Sequence, residues 1–158
     1  MIRLAGEEDL DAIKLIARIT WSQAYENKIP EAIQDRFLER YYEKSVLLER
    51  IKNDELIVVT DDDLIVGYAF YSVTEGVMRI LALFVLPTSQ RIGFGSRLLE
   101  YLLQFVRIKA DIAEVRLEAQ TQSAINFYEK NGFVRKESEF FEIEGYPLKQ
   151  YIYQKEIK

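Results

Sequence analysis

Apolar positions recur in two different rhythms along this chain. Residues 2–5 read as a short strand, and Glu7, Glu8 and Asp9 then supply the acidic first turn that a helix dipole favours. Leu10, Ile13, Ile16, Ala17 and Ala24 follow at roughly the spacing of one helical face. Pro30 suits the first turn of a second helix, with Ile33, Phe37 and Tyr41 on one side. Ser45 is placed to cap a third, ending near Asn53. The rhythm then changes. Residues 55–60, 64–74 and 77–86 read as strands joined at Asp61-Asp62-Asp63 and Glu75-Gly76, an expected antiparallel meander. Helical spacing returns after Phe94 and runs to about Lys109, with Leu98, Leu99, Leu102, Phe105 and Val106 inward.

Residues 113–119 alternate, with Val115, Leu117 and Ala119 on one face and Arg116 and Glu118 on the other. Residues 123–131 form a predicted helix stopped by Gly132. Two strands, 133–143 and 148–157, close the chain around Gly145-Tyr146-Pro147. The order predicts an α/β (α+β) fold: a mixed, mostly antiparallel seven-stranded sheet flanked by four to five helices. The crossover from 77–86 to 113–119 makes those two strands parallel. Ligands of such sheets bind at the carboxyl ends of the strands.

At 158 residues the chain fits a single domain, 1–158, long enough to bury a sizeable core. Its longest apolar run, 80–86, is too short to cross a bilayer, and the charged N-terminal stretch shows no signal peptide. A cytoplasmic location with no membrane partner is therefore expected. The net charge of -5 argues against nucleic acid and is compatible with a cationic substrate. Two absences narrow the chemistry. Without Cys there is no thiolate nucleophile, disulfide or Cys-ligated metal; without His there is no Ser-His-Asp triad, histidine base or His-ligated zinc. No metal is expected, and catalysis falls to carboxylates, Tyr, Lys, Ser/Thr, backbone groups or water.

The segment Gln90-Arg91-Ile92-Gly93-Phe94-Gly95 lies between a strand and a helix. A glycine turn there gathers backbone N–H groups on one concave surface, suited to a phosphate or pyrophosphate. A P-loop is excluded, because Ser96-Arg97 stands where its Lys-Ser/Thr would follow Gly95.

Together with Ala124-Ile125-Asn126-Phe127-Tyr128-Glu129-Lys130-Asn131-Gly132-Phe133, this turn resembles the two signatures of the GNAT (GCN5-related N-acetyltransferase) superfamily. The element order resembles that family over essentially the whole chain. The resemblance implies acetyl transfer from acetyl-CoA, a co-substrate, to an amine. It implies that the amides of Arg91, Ile92, Gly93, Phe94, Gly95 and Ser96 hold the pyrophosphate, and that the strand edge at Leu83, Phe84 and Val85 pairs with the pantetheine arm. Thr121 and Asn126 fall at cofactor-side positions, and Tyr128 matches the tyrosine assigned as general acid to the departing thiolate. Arg91 or Arg97 can add charge-assisted contacts worth about 1.5–3 kcal/mol each when desolvated.

The chain departs from the family where a base is expected. One usual glutamate position, eleven residues before Gln90, holds Arg79; the other, twelve residues before Tyr128, holds Arg116. Arginine cannot act as a base in a protein. Three routes stay open for the amine proton. Glu118 lies on the strand face of Arg116, roughly 6–7 Å further along, and can act through water. Glu26, Tyr25 or Glu75 are further candidates, and an amine that arrives partly neutral needs no strong base.

Thr20-Trp21-Ser22-Gln23-Ala24-Tyr25, followed by Ile29-Pro30, resembles the N-terminal helix and loop of polyamine and small-amine acetyltransferases. Trp21 and Tyr25, four apart, either wall an acceptor pocket and hold a cation by cation–π contact or serve as core aromatics. The aromatic C-terminal hairpin, with Phe140, Phe141, Tyr146, Tyr151 and Tyr153, is compatible with closing the acceptor site, packing on the sheet or burial in a homodimer. The reading is an acetyl-CoA-dependent N-acetyltransferase with a small polyamine-like acceptor. Its alternatives are a peptide amine at a protein N-terminus or lysine, and a catalytically weak acyl-CoA-binding module.

Overall fold

Three hairpins organise the sheet, each turned by two residues with positive φ. Asp62 and Asp63 (49° and 66°), Glu75 and Gly76 (52° and 77°), and Glu144 and Gly145 (48° and 81°) all adopt the left-handed pair that matches strand twist. A computed structural model describes residues 1–90 and 92–158. Its strands are β1 (Ile2–Leu4), β2 (Leu56–Asp61), β3 (Leu64–Thr74), β4 (Val77–Val85), β5 (Ile112–Glu118), β6 (Val134–Ile143) and β7 (Tyr146–Glu156). Its helices are α1 (Leu10–Tyr25), α2 (Glu31–Tyr41), α3 (Lys44–Lys52), α4 (Phe94–Val106) and α5 (Gln122–Lys130). The sheet order is β1-β2-β3-β4-β5-β7-β6, antiparallel throughout except for β4 and β5. The expected α/β architecture, its seven strands and its parallel pair are all present.

β3 has a helical layer on each side, which explains its nearly continuous apolar run. Ala69 and Tyr71 join a core with Leu98, Leu99 and Leu102 of α4 and Ile125 and Tyr128 of α5. Tyr68 and Phe70 face the opposite core, with Ile13, Ala17 and Trp21 of α1 and Leu47 of α3. Among the described residues no helix is long and apolar enough to cross a membrane.

Some boundaries move, each for a local reason. Glu7–Asp9 forms a separate 3-10 turn before α1. Glu43, extended at φ -61° and ψ 148°, occupies the N-cap of α3, so Ser45 lies inside that helix rather than capping it. β7 begins at Tyr146, two residues earlier than expected, because Glu144 and Gly145 alone complete the turn. Pro147 is accommodated there because β7 pairs with β5 only from Gln150 onward.

The feature that creates a site lies between the two parallel strands. They pair only from Val77↔Ile112 to Ile80↔Val115, although β4 continues to Val85 and β5 to Glu118. On the other side of β4, Ile80 faces Tyr71 and Ala82 faces Phe70, which leaves Leu81 unopposed. This bulge bends β4 at the point where its pairing with β5 stops. Beyond it the two strands no longer pair, and their facing edges leave a slot between them.

Candidate active site

The carboxyl end of β4 runs through a 3-10 turn at Pro87–Ser89 into the glycine turn and α4. Gln90 latches this corner. Its side-chain amide donates to the Val85 carbonyl at 2.8 Å and to Gln23 Oε1 on α1 at 3.1 Å. Gly93 is the N-cap of α4 at φ 91°, a left-handed conformation that only glycine adopts cheaply. Among the described residues a Cβ there would meet nothing nearer than Arg97 Nε at 4.0 Å. Gly95 has a different role: its missing Cβ would stand 3.2 Å from Phe127 Cε1, so it admits the α5 ring against α4.

The first intrahelical bond of α4 runs from Arg97 N–H to the Gly93 carbonyl, leaving the Phe94, Gly95 and Ser96 N–H groups without acceptors inside the helix. Arg97 folds back over this end, its guanidinium 4.6 Å from the Phe94 ring centroid and its Nε donating to the Gly93 carbonyl at 3.3 Å. Donors, dipole and cation together make an anion cradle. The expectation placed on Arg91 lies outside the described residues. Ile92 is exposed beside the cradle.

Leu83 and Phe84 are half-buried and Val85 buried on the β4 edge of the slot. Their β3-facing side is paired, at Ala69↔Leu83, Tyr68↔Phe84 and Gly67↔Val85, and their other side meets no β5 partner. Across the slot, Glu118 ends β5 by folding onto the following turn. Its Oε2 accepts the Gln120 N–H at 2.7 Å and its Oε1 accepts the Thr121 hydroxyl at 2.8 Å. The buried Thr121 hydroxyl is thus engaged by Glu118, while Asn126 is exposed on α5 with its Oδ1 accepting from Gln122.

Tyr128 is buried on α5, its ring 5.0 Å from Phe127 and 5.2 Å from Phe133 between centroids. Its hydroxyl has no hydrogen-bond partner among the described residues. Burial pushes its phenol above the ordinary tyrosine range, with Tyr25 as a second cause. Tyr25 keeps part of its surface open, yet burial and then the Glu118 charge push its phenol up to about 12. Tyr25, at the end of α1, is thus near enough to both Glu118 of β5 and Tyr128 of α5 for their charges to be felt.

Trp21 is placed differently. It is buried in the α1–α3 core, stacked on Phe37 at 4.5 Å and edge-on to Tyr25 at 4.8 Å. Its sealed Nε1 faces the Tyr42 hydroxyl without reaching hydrogen-bond geometry. Trp21 thus supports Tyr25 from behind, and Tyr25 is what the end of α1 presents.

Comparison with known proteins decides the family: the acetyltransferase (GNAT) domain family matches residues 21–152. The chain belongs to the GNAT acetyltransferases. A spermidine N(1)-acetyltransferase of Thermoplasma acidophilum is 25% identical over 140 residues, 84% of this chain and 86% of that one. The PaiA N-acetyltransferase of the same organism, solved in complex with coenzyme A, superposes with a TM-score of 0.88 at 21% identity over 99% of this chain and 98% of that one. The ribosomal-protein-alanine N-acetyltransferase of Brucella melitensis gives 0.77 at 21% identity over 99% of each chain. These two likenesses establish the shared fold.

As a GNAT acetyltransferase, the protein uses acetyl-CoA as acetyl donor to an amine. Its two arginines at the usual base positions are both engaged in ion pairs. Arg79 Nε lies 3.1 Å and Arg116 Nη1 3.0 Å from Oε2 of the buried Glu114, and Arg116 Nε lies 3.0 Å from Glu139 Oε1. Arg116 therefore pairs with Glu114 and Glu139, while Glu118 is held by Gln120 and Thr121. Sequence reasoning missed Glu114, whose only signal is a carboxylate between Ala113 and Val115 on an otherwise apolar strand start.

Proposed function

We propose that this acetyltransferase moves the acetyl group directly from acetyl-CoA to a primary amine of a small polyamine-like acceptor. The observation that carries the reading is the proximity of Tyr25 to both Glu118 and Tyr128, together with the unpaired β4 edge that leads through Pro87–Ser89 into the α4 anion cradle. The spermidine acetyltransferase relative and the net charge of -5 support a cationic acceptor. The absence of Cys supports transfer through a ternary complex, since no thiol can carry the acetyl group.

The Phe94, Gly95 and Ser96 amides and Arg97 bind the pyrophosphate, and the Leu83, Phe84 and Val85 edge pairs with the pantetheine arm as an added strand. Backbone N–H groups of that edge polarise the thioester carbonyl. The neutral amine attacks the carbonyl carbon, a C–N bond forms, the C–S bond breaks and the electron pair leaves on sulfur. Tyr128 hydrogen-bonds that sulfur. Burial raises its phenol, so full proton transfer to a thiolate with an ordinary value near 8.5 is uphill, and the hydrogen bond itself carries the stabilisation. Glu118 takes the amine proton through water, with Tyr25 beside it shaping the path.

The test is CoA release from acetyl-CoA, read with a thiol-reactive dye, against polyamines, monoamines and N-terminal peptides. The protein contributes no thiol background. Turnover on polyamines in preference to peptides is expected. Preference for a peptide amine would overturn the acceptor assignment, and acetyl-CoA binding without turnover on any amine would overturn the catalytic one.

A further inference from the structure

Glu114 sits at the root of the slot and touches neither end of it. It is buried, and three groups grip its carboxylate: Arg79 from β4 at 3.1 Å, Arg116 from its own strand at 3.0 Å and Gln154 Nε2 from β7 at 2.8 Å. Arg79↔Glu114 is the rung before Ile80↔Val115, where β4 and β5 stop pairing. Arg116 is the first residue past that last rung. Its guanidinium points back to Glu114 and outward to Glu139 on β6, and Glu139 is held in turn by Gln150 of β7 at 2.9 Å. One charged network thus ties β4, β5, β7 and β6 together immediately below the point where that pairing stops.

Two paired strands lie about 4.8 Å apart, and an extended chain laid between them needs roughly twice that spacing. The slot must therefore stay open without its ligand, against the tendency of two strand edges to pair. The network supplies such a device. It fixes the strands up to Ile80 and Val115 and draws the next β5 side chain away from β4.

We propose that Glu114 is a positioning residue that sets the opening between β4 and β5 into which coenzyme A inserts. It acts through Arg79 and Arg116, and the two positions that lack a base are in this way put to use in cofactor binding. This rests on the reading that the slot takes the pantetheine arm.

The experiment is calorimetric titration of free CoA into the wild type, Glu114→Gln, Arg79→Gln and a control, Leu47→Ala. Leu47 is fully buried beneath α3 in the core opposite α4, and its truncation lowers stability without touching the slot. Breaking the grip is expected to raise the Kd for CoA by about tenfold in Glu114→Gln, with a smaller rise in Arg79→Gln. Leu47→Ala should lower the melting temperature at least as much and leave the Kd within about twofold. Arg79, partly exposed, keeps the test open if Glu114→Gln does not fold. Unchanged affinity in the folded Glu114 and Arg79 variants, or an equal rise in Leu47→Ala, would refute the positioning role alone. A wild type that does not bind CoA would overturn the slot reading and this inference together.

Discussion

Replacing Tyr128 by Phe separates chemistry from folding unusually well in this protein. The ring packs against Phe127 and Phe133, and Phe keeps those contacts. The hydroxyl has no hydrogen-bond partner among the described residues, so its removal strands no donor or acceptor inside the protein. The melting temperature should therefore hold within a few degrees, corresponding to less than about 1 kcal/mol. The rate should not hold. A hydrogen bond to a developing thiolate is worth about 1.5–3 kcal/mol, which converts to a fall in kcat of roughly ten- to a hundredfold. KM for acetyl-CoA should change much less, because the bond strengthens as charge appears on sulfur. The assay is dye-detected CoA release at saturating acceptor, with the first turnover followed rapidly to check for a burst. Acid-quenched first turnovers, which count acetylated product still on the enzyme, show a burst where release limits kcat and none where chemistry does. An unchanged kcat in the absence of a burst refutes the role assigned to Tyr128, and a large loss of thermal stability refutes the structural reasoning about its unpartnered hydroxyl.

Gly93→Val should weaken CoA binding by at least about tenfold by calorimetry, since the side chain enters the cradle and forces a φ of 91° on a branched residue; unchanged affinity would remove the cradle from the binding site. Glu118→Gln should lower kcat/KM while leaving CoA affinity nearly intact; an unchanged kcat/KM would send the proton elsewhere. Asp9 accepts two hydrogen bonds from Arg3, at 2.7 and 3.0 Å, and one from the Gly6 N–H at 2.8 Å. The Arg3 bond chiefly holds its carboxyl below the usual range. A lowered folded value stabilises the fold above the unfolded value near 4, and that stability is lost as pH falls through the folded value. Asp9→Asn should thus cost about 1–2 kcal/mol at pH 7, at the modest end because Arg3 is partly exposed, and the gap to wild type should close in acid; a gap that persists at pH 2 would contradict the assignment.

The elements were legible where local chemistry decides them. Gly76 and Gly145 mark hairpin turns, Gly132 ends α5, and the Leu98, Leu99, Leu102 spacing gives the buried face of α4. The glycine turn before α4 was legible for the same reason, since Gly93 and the start of that helix lie within one short segment. What escaped depends on register between distant strands. The run from Val77 to Val85 reads as one unbroken strand, and nothing within it shows that Leu81 is the residue left unopposed against β3. Gly95 also meets a demand that the turn alone does not show: a Cβ there would stand 3.2 Å from Phe127, a residue of the second signature. The two signatures are in contact, and no spacing along the chain reveals it. The Thr121 hydroxyl donates to Glu118 across the turn after β5, a contact that spacing along the chain does not announce.

The arginines at 79 and 116 follow from the same long-range pairing. Cross-strand neighbours on one face stand about 5 Å apart, and like charges placed directly opposite are destabilising. Residue 79 lies directly opposite the buried Glu114, and residue 116 is its next neighbour on the same face of β5. A glutamate at either position would set a second carboxylate against one already out of water, and one of the two would have to take up a proton. Arginine neutralises Glu114 where glutamate would oppose it. Glu118, two residues further along the same face, is bonded to its own turn at Gln120 and Thr121 and stands apart from that ion-pair network. The departure from the family pattern is in this sense one exchange: arginines at 79 and 116 neutralise Glu114, and in the proposed mechanism the proton passes to Glu118 instead.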